Sequence, residues 1–191
     1  VELYEKEQLL IRIFVKVSTD YVADILEIVE TYPCNLLLIG VEQDVFPSFL
    51  EENYPKLKNS GTNAITTAIF VNNGFQQLNR IFVPILDKTD VYVFLFINRL
   101  ILCKQVSFMI WDAIGIIESE PEMEKLYQRL CKKADGRLKL WDNDKKIEND
   151  FIGEQDLVLI GIEGWEKLTQ SAVSWAHSLP SALIVKPATN E

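Results

Sequence analysis

Two octapeptides in this chain match closely, and the repetition limits the folds open to it. Asn35-Leu-Leu-Leu-Ile-Gly-Val-Glu42 matches Asp156-Leu-Val-Leu-Ile-Gly-Ile-Glu163 at six of eight identical or near-identical apolar and turn positions, the glycine among them. Two such blocks alone could be unrelated, because any strand buried on both faces of a parallel sheet is a near-continuous Val/Ile/Leu run. Their neighbours carry more. Each block is preceded by a strand and a helix, then followed by a helix and a further strand, at 65–71 in the first case and 182–186 in the second. A strand–helix–strand–helix–strand series that occurs twice is an internal duplication.

The same alternation runs through the rest of the chain. Apolar runs predict strands at 10–17, 35–41, 65–71, 80–86, 106–114, 137–141, 156–162 and 182–186. Between them, 20–31 places Val22, Ile25, Leu26 and Val29 on one helical face. Residues 120–133 do the same with Met123, Leu126, Tyr127 and Leu130, and Pro121 stands at a permitted first-turn position. The fold class is therefore α/β, with doubly wound, mostly parallel, Rossmann-like sheets built from tandem repeats. The halves are unequal: 1–76 forms the back part of a first repeat and 77–191 a complete second one. The second holds two further strand–helix units between 80 and 134, so the first copy is incomplete. That asymmetry predicts a piece of a longer polypeptide. The polar stretch 53–63 reads as a mobile loop, and the charged stretch 142–150 as a loop or weak helix.

Charge and composition exclude several functions. A net charge of −9 repels phosphate backbones, so nucleic acid is not an expected partner. Cys34, Cys103 and Cys131 have no metal or redox spacing and read as buried free thiols of a reducing compartment. The most apolar stretch, 91–103, is too short to span a bilayer and contains Asn98 and Arg99; it reads as a core element. Glu2, Glu5 and Glu7 argue against a secretory leader, and a soluble chain is expected.

The second half, with five strands and four helices and a fourth strand ending in glycine, resembles the universal stress protein family. Its last strand, Ala182-Leu-Ile-Val-Lys-Pro187, is similar to that family's closing strand. The joined copies resemble the cytosolic C-terminal tail of monovalent cation/proton antiporters of the plant and fungal exchanger kind, a fungal potassium/proton antiporter being the nearest. Ile69-Phe-Val-Asn-Asn-Gly74 carries this, followed by Arg80-Ile-Phe-Val-Pro-Ile-Leu86 and a helix start at Asp90. That family usually shows Asp-Arg-Gly where Asn72 and Asn73 precede Gly74. The resemblance implies a non-catalytic regulatory or assembly domain of a potassium or sodium/proton antiporter, on the cytosolic side of a plasma or endomembrane. Its partners would be the multi-pass transport domain of the same polypeptide and a second copy in a homodimer. The alternative is a stand-alone universal stress protein that binds an adenine nucleotide.

Many universal stress proteins hold ATP with a G-x2-G-x9-G-[ST] pattern after the fourth strand. Glycines let backbone amides approach the phosphates there, and the helix N-terminus adds a partial positive charge. Gly161 and Gly164 have the first spacing, but Ser174 and Trp175 stand where Gly and Ser or Thr are wanted. The first copy keeps only Gly40. Asp87 lies near the position where that family sets an acidic residue on the adenosine. Asp87, Gly161, Gly164 and Ser174 are thus the candidate nucleotide-binding residues. Glu163 and Glu166 oppose that role: a carboxylate about 5 Å from a phosphate charge costs roughly 1 kcal/mol in water and about 3 at an effective dielectric of 20. A helix N-terminus returns only about 0.3–1 kcal/mol, and Lys167 offsets part of the rest. The structural reading, in which both glycines simply turn the chain, is preferred.

No catalytic constellation is visible. His177 is the only histidine, which rules out multi-histidine metal sites; it reads as a favourable cation late in a helix at 169–178. Asp142-Asn-Asp144 begins like a calcium loop, but Lys145 and Lys146 follow where ligands should stand. Trp111, Trp141, Trp165 and Trp175 are scattered and suit core packing better than base stacking. No metal site and no enzyme activity are expected.

Overall fold

The computed structural model describes residues 20–32, 34–59 and 65–188, and the strand expected at 10–17 lies outside them. Seven strands among these residues join in one sheet: β1 (Leu36–Glu42), β2 (Thr66–Asn72), β3 (Arg80–Ile85), β4 (Ser107–Asp112), β5 (Leu138–Leu140), β6 (Leu157–Gly161) and β7 (Ser181–Lys186). Their order is β1-β2-β7-β6-β3-β4-β5, and every pairing is parallel except β2 with β7. The main helices are α1 (Tyr21–Thr31), α2 (Tyr54–Asn59), α3 (Val93–Leu100), α4 (Pro121–Ala134) and α5 (Ile162–Gln170). The chain winds outward from β3 to β4 and β5, then returns through β6 to β7. This is the doubly wound, mostly parallel architecture expected from the sequence.

The register shows how the two halves meet. Gly40 of β1 lies opposite Phe70 of β2, and Gly161 of β6 lies opposite Val185 of β7. Aligning the copies on those glycines makes Ile69 the counterpart of Ile184. The antiparallel β2–β7 ladder pairs that same Ile69 with Ile184, with Ala68 against Val185 and Phe70 against Leu183 on either side. Exchanging the copies maps this set of pairs onto itself. A pseudo-two-fold axis perpendicular to the sheet therefore passes through the Ile69–Ile184 pair, and the repeats form one continuous sheet.

Two cores cover the faces. On one face, α3 contributes Val93, Phe94 and Ile97 and α4 contributes Leu130 and Ala134, over Ile81, Val83, Ile110 and Leu159. On the other, Val22 of α1, Phe46, Phe49, and Ile162 and Leu168 of α5 pack over Ile39, Ile69, Ile160 and Ile184. The tryptophans converge on this second core: Phe82 stacks on Trp111 at 6.5 Å and meets Trp175 edge-on at 5.8 Å, while Trp141 lies 4.5 Å from Phe151.

Among the described residues, the cover of the first face reaches Ala68 of β2 and thins at β1. Leu36 and Leu38 are 47% and 61% exposed, whereas their counterparts Leu157 and Leu159 are 4% and 0% exposed. The helices that seal the face, α3 and α4, come from the units that precede the repeated block in the second half.

Several local expectations need correction. The stretch read as a loop at 53–63 is helical through Asn59: a short turn at Phe46–Ser48 continues through a π-type turn at Phe49–Asn53 into α2. Phe49 is buried and Tyr54 packs against the second core, so burial outweighs the polar composition. Pro55 follows directly on the π-type turn, where Tyr54 N–H reaches back five residues to the Phe49 carbonyl. The helix expected at 169–178 ends at Gln170, and His177 closes a separate 3-10 turn, Ser174–His177. The cysteines are not fully buried: Cys103 is exposed, and Cys34 and Cys131 are half-buried. Leu95 and Leu102 are exposed, so 91–103 is an amphipathic element with one buried stripe.

Candidate functional site

In a doubly wound sheet, ligands bind beyond the carboxyl ends of the strands where the winding reverses. Here that point lies between β3 and β6, whose ends lead to Asp87 and to Gly161. Three of the four candidate residues, Asp87, Gly161 and Gly164, gather there around Asp90, which sequence reasoning placed only as a helix start. Asp90 is fully buried between the two strand ends. Its Oδ2 accepts hydrogen bonds from the backbone N–H groups of Leu86 and Asp87, both at 2.8 Å, and its Oδ1 accepts one from Gly164 N–H at 3.1 Å.

Asp90 explains both glycines. A Cβ added at Gly161 would collide with its Oδ1, and one added at Gly164 would collide with its Oδ2. Gly164 lies in the first turn of α5, where unsatisfied amides and the helix dipole favour an anion. The chain's own carboxylate takes that place. Burial pushes the Asp90 carboxyl up from its ordinary value and the nearby Asp87 charge adds to this, while the three backbone amides pull it down.

Asp87 caps the turn Lys88–Tyr92: its Oδ1 accepts from Thr89 N–H at 2.9 Å and from the Thr89 hydroxyl at 2.8 Å. Its other oxygen meets Lys167 Nζ at 2.5 Å, and Lys167 also donates to the Leu86 carbonyl at 3.2 Å. The Lys167 ammonium, helped by the Thr89 amide and hydroxyl, holds the Asp87 carboxyl down at about 2. Lys167 is thus already committed to Asp87. Among the described residues no cation pairs with Glu163 or Glu166 of α5, and one Glu163 oxygen is buried with no hydrogen-bond partner. Burial first, then the charges of Glu163 and Glu166, push the Tyr54 hydroxyl up to about 12.

A depressed carboxyl stabilises the fold above its unfolded value, near 3.9, and this contribution fades as pH falls through its folded value. Asp87→Asn keeps an amide oxygen able to cap and removes only the charge. Because the Lys167 side chain is 54% exposed and that of Asp87 25%, solvent screens the pair and the expected loss at pH 7 is below about 1 kcal/mol. Urea midpoints of the two proteins should converge as pH drops from 5 towards 2.

Ser174 is not part of this group. It lines a separate cleft of about 540 Å³ with Trp111, Asn143, Lys145, Lys146 and Trp175, to which neither Gly161 nor Gly164 contributes. Asp142-Asn-Asp144 forms a tight turn: Asp142 Oδ1 accepts from Asp144 N–H at 3.2 Å, and Asn143 donates to the Asp112 carbonyl at 3.0 Å. Among the described residues no group of three or more His, Cys, Asp or Glu side chains is placed to hold a metal ion. No helix among them is long and apolar enough to cross a membrane. The signal for Asp90 was present in the sequence, since Asp87-Lys-Thr-Asp90 has capping-box spacing before an apolar run.

No protein-family model matches this chain, and no curated protein matches it.

Proposed function

We propose that this chain is a non-catalytic regulatory or assembly module of a monovalent cation/proton antiporter, carried on the cytosolic side by the polypeptide that holds the transport domain. The observation that carries the non-catalytic part is Asp90. A buried carboxylate occupies the amides at the strand ends where a doubly wound fold would receive a phosphate. A phosphate there would have to displace Asp90 and stand beside Glu163 and Glu166, with Lys167 already paired to Asp87. The exposed Leu36 and Leu38 and the fusion of two repeats about one axis suit a domain that works by contact. The link to an antiporter rests on the resemblance carried by residues 69–74 and 80–86.

Titration calorimetry with ATP, ADP and AMP at millimolar concentration tests the first part: neither saturable heat nor a shift in melting temperature is expected. Saturable binding abolished by Gly164→Val would return the reading to a nucleotide-binding stress protein. For the second part, cation/proton exchange is measured in vesicles carrying the transporter with and without this module. Altered exchange at equal transporter abundance supports the assignment, and unchanged exchange overturns it.

A further inference from the structure

The joint between the two repeats carries a reactive pair of its own. β2 ends at Asn72, and Asn73-Gly74 then turns the chain towards the second copy. This is the only Asn-Gly pair in the sequence. Asparagine is chemically labile where the next backbone nitrogen can attack its side-chain carbonyl carbon, and a glycine there, without a Cβ, obstructs that attack least. We propose that Asn73 deamidates spontaneously through a succinimide with Gly74, and that the product loosens the seam where β2 meets β7.

The geometry singles out this asparagine. Asn73 and Gly74 are both exposed, so water reaches the pair. Gly74 has φ +71°, and a Cβ added to it would meet nothing within 4 Å, so the space around the attacking nitrogen is open. Among the described residues nothing accepts a hydrogen bond from Gly74 N–H. The nitrogens that follow other asparagines are engaged. Asn73 N–H, next to Asn72, donates to Ser181 Oγ at 2.9 Å, and Asp144 N–H, next to Asn143, donates to Asp142 Oδ1 at 3.2 Å. Asn98 lies inside α3, where the following amide belongs to the helical ladder.

The step needs no reactant except water. The Gly74 nitrogen gives up its proton and bonds to Asn73 Cγ, and the Cγ–Nδ2 bond breaks as ammonia leaves. Water then opens the ring at either carbonyl, giving aspartate or isoaspartate and one added negative charge.

The position gives this exchange a structural consequence. Asn73 Nδ2 donates to the Leu179 carbonyl at 2.8 Å, and together with the Ser181 bond it fastens the end of β2 to the entry of β7. An ionised carboxylate only accepts. It would face the Leu179 carbonyl acceptor against acceptor, and the tie is lost. In isoaspartate the main chain also runs through the former side chain and becomes one carbon longer. Both products act at the ladder that joins the copies, and this holds whichever protein the chain serves.

The full chain is aged in warm buffer at mildly acid and mildly alkaline pH. Its peptides are then mapped by mass spectrometry, with isoaspartate distinguished by electron-transfer fragmentation. Conversion at Asn73 is expected ahead of Asn72, Asn98 and Asn143, faster at alkaline pH, and lost in Asn73→Gln, whose amide can still donate. If the folded chain keeps Asn73 while the chain unfolded in guanidinium converts it, the native geometry blocks the attack and the proposal falls. Asn73→Asp supplies the charged product uniformly. Amides at the β2–β7 seam should then exchange roughly tenfold faster than in the unaltered chain, while β3 and β4 keep their protection. Unchanged exchange at the seam would overturn the structural half of the proposal.

Discussion

Gly164→Ala should destabilise the fold by about 3 kcal/mol, the upper end of ordinary overpacking costs. At an unobstructed helix position the same change would stabilise by about 0.5–1 kcal/mol. The sign reverses because the new Cβ would fall on the Asp90 carboxylate, with Cγ and Oδ1 at 2.7 Å and Oδ2 nearer still. Asp90 cannot swing aside cheaply. Moving it strands the Leu86, Asp87 and Gly164 amides in a buried site, at about 1–3 kcal/mol for each donor left unsatisfied. A double-mutant cycle isolates this contact. Asp90→Ala alone should be strongly destabilising, but Gly164→Ala added to it should cost less than about 1 kcal/mol or stabilise. Denaturant midpoints of the four proteins give the coupling. If the two costs simply add, the carboxylate is not what requires glycine at 164, and the case against a phosphate at this helix start loses its foundation.

The fold was largely legible because its strands are buried on both faces. The runs at 80–86 and 156–162 have no polar alternation, and they became β3 and β6 at the centre of the sheet. The repeat was legible for the same reason, since Gly40 and Gly161 mark the same strand end in both copies. What the sequence did not reveal is how the copies meet. Nothing in Ile69 or Ile184 announces an antiparallel pair, because a central strand has one pattern whichever direction its neighbour runs. At the site, Gly161 and Gly164 were found through a phosphate-binding pattern, yet the need for glycine comes from Asp90, distant in sequence and close in space. Ser174 was picked by counting along the chain. A fixed spacing does not report where the chain goes after α5 ends at Gln170: Ser174 falls in a separate turn and lines another cleft. The loop expected at 53–63 failed because composition does not report that Phe49 and Tyr54 have a core to pack against.

The same leucine in the two repeats should give different answers to the same mutation. Leu159→Ala removes a side chain with no exposed surface, packed beneath α3, and should cost about 2–5 kcal/mol. Leu38→Ala truncates its counterpart, which is 61% exposed, and should stay within about 0.5 kcal/mol. Both residues sit on a strand in the same copy register and both point to the same face, so strand propensity cancels in the comparison. The remaining difference is the helical cover, which among the described residues buries Leu159 and leaves Leu38 exposed. Guanidinium unfolding of the purified chain measures it directly. Equal costs would mean that the first half is covered at Leu38 as fully as the second is at Leu159, and the apolar face would then be part of the domain's own core. Unequal costs leave Leu36 and Leu38 as apolar surface held on a rigid sheet without a structural duty in the chain. In that case Leu38→Asp should leave unfolding nearly unchanged and weaken the contact with a transport domain proposed above. That pair of results separates a surface kept for contact from one kept for folding.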